Sequence, residues 1–70
     1  MLSFSFTQRN AIQIHVDDAG ISKLIDVLST LRGSGDHIHL WAPPIGNELG
    51  TYTPFGGEAV PEVIISHGGD

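Results

Sequence analysis

Two histidines and a tryptophan alternate along one short segment, and imidazole offers more chemistry than any other side chain present. His37, His39 and Trp41 occupy every second position of the stretch HIHLW. In a β-strand this spacing puts both imidazoles on one face, about 6.6 Å apart along the strand. Neutral imidazoles at that distance can share zinc, copper or nickel, provided that further ligands complete the site. His15 is the candidate third ligand if its strand lies nearby.

The same alternation has a simpler explanation. Ile38 and Leu40 occupy the other face of the segment, so His37 and His39 also fit the polar side of an amphipathic strand. We favour this interpretation and expect neither a bound metal nor a cofactor. A small metal- or ligand-binding module that uses the His-x-His strand is the alternative.

Little else in the sequence offers catalytic chemistry. The chain has no cysteine, which excludes thiol nucleophiles, disulfides and cysteine-ligated zinc. Its serines fall in no nucleophile-elbow pattern. The adjacent carboxylates of Asp17 and Asp18 are explained by capping the start of a helix. We therefore expect that the protein is not an enzyme.

Charge and hydropathy restrict the classes of partner. Three basic residues stand against eight acidic ones, for a net charge of −5, whereas nucleic-acid binding needs clustered Lys and Arg. A basic protein partner is compatible with this charge. No apolar run approaches the roughly 20 residues of a membrane helix, and the first residues lack a signal-peptide pattern. We expect a cytoplasmic protein that binds neither nucleic acid nor membrane.

The elements that position these residues follow from the hydrophobic periods. Residues 2–7, 11–17 and 36–41 alternate with a period of two and predict strands. Residues 60–66 predict a final strand, in which Pro61 marks the start or an edge position. Between the second and third strands, apolar residues recur at spacings of three and four, which predicts an amphipathic helix. The expected buried face of this helix consists of Ile21, Leu24, Ile25, Leu28 and Leu31.

Together these elements predict one small α+β domain in the order β-β-α-β-β. The simplest arrangement is a two-layer sandwich, in which one helix covers one face of a mainly antiparallel four-stranded sheet. We expect the domain to span residues 1–67 and residues 68–70 to form a frayed tail. Such a sheet has two open edges, so we also expect a homodimer formed by edge pairing.

A long loop, residues 43–59, carries aromatic residues beside the polar strand face. Loops of this length without their own secondary structure are often functional, and Trp and Tyr dominate the energetics of protein interfaces. We therefore expect the loop and the sheet face opposite the helix to bind a partner. The expected contact residues are His15, His37, His39, Trp41, Glu48, Tyr52 and Phe55.

The segment DHIHLWAPPIGNEL resembles the bacterial immunity protein 32 family of polymorphic toxin systems. In that family a His-x-His-Leu segment is followed by a Thr-Pro or similar pair, a Trp-Gly-Gly turn and Glu-Leu. The residues that match are His37–Leu40, Ala42–Pro43, Gly46–Asn47 and Glu48–Leu49. The resemblance covers roughly residues 11–67 and departs at the turn, where Ile45 replaces a tryptophan and Asn47 a glycine. It implies an intracellular protein that neutralises a cognate toxin by direct binding.

Overall fold

The part of the chain that the structure describes forms one helix and five short strands. The computed structural model describes residues 1–33 and 36–68. Its elements are β1 (Leu2–Phe6), β2 (Ile12–Val16), α1 (Asp18–Gly33), β3 (His37–Trp41), β4 (Glu58–Ala59) and β5 (Glu62–Ser66). The predicted α+β class with antiparallel pairing is confirmed. Residues 69–70 of the predicted tail lie outside the described residues. In the described ranges, no helix has the length and apolar character to cross a bilayer.

The strands β1 and β2 form the hairpin that their alternation predicts. Their register places Phe4 opposite Ile14, so the even-numbered residues of both strands share one face. In the turn, Asn10 adopts a left-handed conformation with φ of 62°, which asparagine tolerates better than most residues. The Thr7 N–H donates to the Ala11 carbonyl at 2.9 Å and closes the turn.

The helix begins at a carboxylate cap. The Asp17 side chain accepts the Gly20 N–H at 2.8 Å, and the Asp17 carbonyl accepts the Ile21 N–H at 2.9 Å. A Cβ at Gly20 would lie only 2.0 Å from the Met1 carbonyl oxygen and 3.3 Å from Val16 Cβ. The first turn of the helix therefore packs directly on the hairpin, at a distance that only glycine permits.

The predicted buried face of the helix is wrong. Three of its five residues are largely exposed, Ile21 at 46 %, Ile25 at 58 % and Leu28 at 48 %. Leu31 is buried at 4 %, and Val27 packs against the core. With about 100° per residue, Leu24, Val27 and Leu31 lie on the same side of the helix as Gly20. The predicted face combined Leu24 and Leu31 of this row with a neighbouring apolar row, Ile21, Ile25 and Leu28.

The predicted single four-stranded sheet is also wrong, because the strands form two sheets. One has the order β2-β1-β4, and the other pairs β3 with β5. The Val60 N–H still donates to the Phe4 carbonyl at 2.8 Å, whereas the Pro61 carbonyl already accepts the Ala42 N–H at 2.9 Å. Proline has no N–H to continue a ladder. The predicted last strand therefore divides at Pro61, and its two parts, β4 and β5, belong to different sheets.

The core lies where the two sheets and the helix meet. Its buried members are Leu2, Phe4, Leu40, Ala42 and Leu49. The opposite face of β1 is buried as well, since Ser3 and Ser5 are each 1 % exposed. The alternation along β1 predicts that these serines lie on the polar, open face of the sheet, and this prediction is wrong. The loop after Leu49 covers them instead, and the Tyr52 N–H donates to Ser3 Oγ at 3.4 Å.

Candidate functional site: a row of rings on the second sheet

The outer surface of the β3–β5 sheet carries the His-x-His segment. Ile38 and Leu40 pack into the core, so the alternate residues of β3 point outwards. The register brings three β5 residues onto the same surface. We call this surface the ring face, and it comprises His37, His39, Trp41, Glu62, Ile64 and Ser66.

Three aromatic rings form a continuous row along the ring face, with His39 in the middle. The His37 and His39 ring centroids lie 5.1 Å apart, with planes inclined by 74°. On the other side, the His39 ring stacks on Trp41 at 5.9 Å with an interplanar angle of 9°. Edge-to-face and offset stacked contacts at these distances are favourable. Each ring therefore restricts the orientation of its neighbour.

Two carboxylates orient the imidazoles. His39 Nδ1 lies 2.6 Å from Glu62 Oε2, and His37 Nδ1 lies 2.9 Å from Asp36 Oδ1. An ionised carboxylate can only accept, so the hydrogen-bond network assigns the proton of each ring to Nδ1. In the neutral rings, both Nε2 lone pairs are then left for an external donor. The ring face thus presents acceptors, aromatic surface and acidic groups together.

The loop that follows β3 fixes the position of Trp41 at the end of the row. Glu48 Oε1 accepts the Trp41 N–H at 2.9 Å, and the Trp41 carbonyl accepts the Leu49 N–H at 3.1 Å. A Cβ at Gly46 would lie 2.7 Å from Trp41 Cβ, so the turn passes close to the strand. Glu48, predicted as a partner contact, uses its carboxylate in this internal bond.

The other predicted contact residues lie elsewhere. His15 belongs to the first sheet, and its ring meets Tyr52 edge-on at 4.8 Å. Phe55 is 70 % exposed and lines an open cleft of about 640 Å³ together with Gln13 and Arg9. Apart from Glu48, the predicted set thus divides into three residues of the ring face and three residues over the first sheet.

His15 therefore does not complete a metal site with the His-x-His pair. Within residues 1–33 and 36–68, no three His, Asp or Glu side chains come together in a metal-binding arrangement. His37 and His39 offer two Nε2 atoms, whereas zinc sites use three or four protein ligands.

Sequence reasoning missed the β5 half of the ring face. Glu62 and Ile64 lie 23 and 25 positions beyond His39, so only the β3–β5 register brings them to it. Asp36 precedes His37 directly and could have been proposed as its partner from adjacency alone. Comparison of the chain with models of protein families, with curated proteins and with solved structures finds no match.

Proposed function

We propose that this protein is a binding module that neutralises a cognate protein toxin by direct contact, and that the ring face is its main contact surface. The observation that carries the proposal is the ordered row of His37, His39 and Trp41. The two histidines are exposed and Trp41 is half-buried, and two carboxylates and a loop hold the three rings in one arrangement. An aromatic surface already ordered before binding loses little conformational entropy in a complex.

The composition of the ring face fits a basic protein partner. Trp41 is the kind of anchor that dominates binding energy in interfaces, and Ile64 adds apolar surface, being 57 % exposed. Asp36 and Glu62 give the surface a negative rim. With a net charge of −5, the protein should attract a basic toxin over several ångströms and accelerate its association.

The family resemblance supports the same surface. Its His-x-His-Leu element provides the two histidine rings of β3, and its Glu-Leu element provides the two hydrogen bonds to the backbone of Trp41. The residues of the resemblance therefore build one structural unit. Because these residues form one unit, they favour the immunity role over the interpretation that the histidines only form the polar side of a strand.

A catalytic role is less well supported by the ring face. Ser66 lies beside His37 on the neighbouring strand, and Asp36 bonds to the His37 imidazole. This arrangement suggests a serine–histidine–aspartate set. Both Ser66 and His37 are described, and no hydrogen bond joins their side chains. Asp36 is 90 % exposed, so water screens the charge that would stabilise an imidazolium. We therefore propose binding and not hydrolysis.

Co-expression tests the proposed function. The protein encoded beside this gene is induced in a bacterial host, alone and together with the chain. We expect growth arrest alone and rescue by the wild type, weakened rescue by Trp41→Ala and His39→Ala, and full rescue by Tyr52→Ala and Phe55→Ala. A neighbouring product that is harmless alone would refute the immunity role. Equal rescue by all four folded variants would remove the ring face from the contact.

A further inference from the structure

The outer edge of β2 presents unpaired backbone groups. The Asp17 N–H donates to the Met1 carbonyl at 3.1 Å, so the odd-numbered residues of β2 direct their N–H and C=O groups towards β1. The even-numbered residues, Ile12, Ile14 and Val16, direct theirs outwards. Among the described residues, these groups receive one side-chain contact, from Gln13 Nε2 to the Ile14 carbonyl at 3.3 Å, and β2 has no second neighbouring strand.

The side chains along this edge are apolar and exposed. Ile12 is 63 % exposed and Ile14 49 %, and Phe6, directly opposite Ile12, is 53 % exposed. Monomeric proteins protect such edges with lysine, proline, bulges or a covering loop. β2 reads IQIHV and contains no acidic residue, lysine, arginine or proline. The β2 edge therefore lacks these protections and can pair with another strand.

The total surface of the chain also suggests incomplete burial. A 7.5 kDa monomer exposes about 4,200 Å² by the usual scaling, whereas this chain exposes 4898 Å². The excess of about 700 Å² is close to the roughly 800 Å² that each partner contributes to a standard interface. Burial of one standard interface would therefore bring the exposed surface close to the expected value.

We infer that two copies of this protein pair antiparallel through their β2 edges, which gives a continuous sheet in the order β4-β1-β2-β2-β1-β4. The pairing centres on Ile14, which faces its own copy, while Ile12 faces the partner's Val16. The interface is isologous, as a two-fold dimer requires. This inference does not rest on the proposed function, because the ring face lies on the other sheet.

The register follows from the pattern of outward groups. When the pairing is centred on Ile14, the outward N–H and C=O groups of Ile12, Ile14 and Val16 all lie opposite outward groups of the other copy. A slide by one residue would place outward groups opposite inward ones, and a slide by two would leave one residue of each strand unpaired. Centring on Ile14 also puts apolar side chains together on one face and sets Gln13 beside the partner's His15 on the other.

Charge gives this association a distinctive salt dependence. Each copy carries a net charge of −5, so two copies repel each other while the paired strands themselves are neutral. Added salt screens the repulsion, since the Debye length falls from about 10 Å at 0.1 M to about 3 Å at 1 M. Salt should therefore strengthen self-association, whereas it should weaken binding of a basic toxin.

Sedimentation of the full chain, combined with amide hydrogen exchange, tests the inference. At about 100 μM and moderate salt we expect twice the 7.5 kDa monomer mass. The Ile12 and Ile14 amides should become protected as concentration rises, whereas the Gln13 and His15 amides should be protected throughout. Ile14→Lys should abolish the dimer. The matched control Ile64→Lys, at a strand position of similar exposure, should retain it.

Three results would overturn the inference. The first is a monomer mass under these conditions, and the second is a dimer in which the Ile14 amide exchanges as fast as in the dilute protein. The third is an Ile14→Lys variant that dimerises like the wild type. If Ile14→Lys fails to fold, Ile12→Lys replaces it, and the exchange measurement on the wild-type protein decides in either case.

Discussion

Two leucines of α1 give a matched test of how the helix packs. Leu31 is 4 % exposed and Leu28 is 48 % exposed, although both lie in the same helix only three residues apart. Truncation of each to alanine removes the same atoms. Any difference in the free energy of unfolding therefore reports the packing of the two sites.

The structure sets the expected magnitudes. Truncating a fully buried leucine costs about 2–5 kcal/mol, and a chain of this length has a total stability of about 3.5–10 kcal/mol. Leu31→Ala should therefore remove a large part of the stability and lower Tm by at least about 8 °C. Leu28 buries about half of its side chain, which is worth about 1 kcal/mol, and the higher helix propensity of alanine offsets part of that loss.

The assay is urea unfolding followed by circular dichroism, at a protein concentration low enough to keep the chain monomeric. We expect Leu31→Ala to lose at least twice the free energy of unfolding that Leu28→Ala loses. A Leu28→Ala variant that is as destabilised as Leu31→Ala, or more so, would show that the helix presents the Ile21–Ile25–Leu28 row to the core and would refute the packing described above.

Three further predictions concern single contacts. Gly57 has φ of +87°, and a Cβ there would lie 1.8 Å from the Phe6 carbonyl oxygen of β1. Gly56 has a similar φ of +74°, but its Cβ would make only an ordinary contact with Gln8 Nε2 at 3.8 Å. Thermal melts should therefore show that Gly57→Ala is far less stable than Gly56→Ala, and equal melting temperatures would contradict this. The pKa of Asp17 is lowered by its bond to the N-terminal amino group and by the Gly20 N–H, so its ionised form contributes stability above about pH 4 that is lost as the pH falls through the lowered pKa. The stability advantage of wild type over Asp17→Asn should therefore disappear in acid, and a difference independent of pH down to about pH 2 would rule out the charge effect. Glu48→Ala should speed amide exchange at Trp41 and lower the free energy of unfolding by about 1–3 kcal/mol, because it leaves the Trp41 N–H unpaired. Glu48→Gln should retain most of the protection. Unchanged exchange in Glu48→Ala would disprove the bond.

The local periods of the sequence predicted most elements correctly but not their packing. The hairpin, the helix and β3 appear close to their predicted positions because alternation and helical spacing are local properties. The helix face was wrong because Ile21, Ile25 and Leu28 repeat at the same spacings as the row that is buried. Only the close approach of Gly20 to the hairpin selects between the two rows.

Long-range pairing accounts for what the sequence did not predict. β4 has two residues, Glu58 and Ala59, and exists because β1 offers its free edge. Division of the last strand depends on Pro61, which was expected to mark the start of one strand or an edge position. The β3 half of the ring face was predicted, because the alternation of β3 is visible in the sequence. The position of Glu62 beside His39 depends on the β3–β5 register, which the sequence does not show.

The central claim, that the ring face binds a toxin, is tested most directly by calorimetric titration of the purified neighbouring gene product with wild type, Trp41→Ala and Tyr52→Ala. Removal of an aromatic anchor from an interface typically costs about 2 kcal/mol or more, so Trp41→Ala should bind at least about 30-fold more weakly than wild type. Tyr52→Ala, in the loop that lies over the first sheet, should stay within about 3-fold. Wild-type affinity in folded Trp41→Ala, or a larger loss in Tyr52→Ala, would contradict the claim.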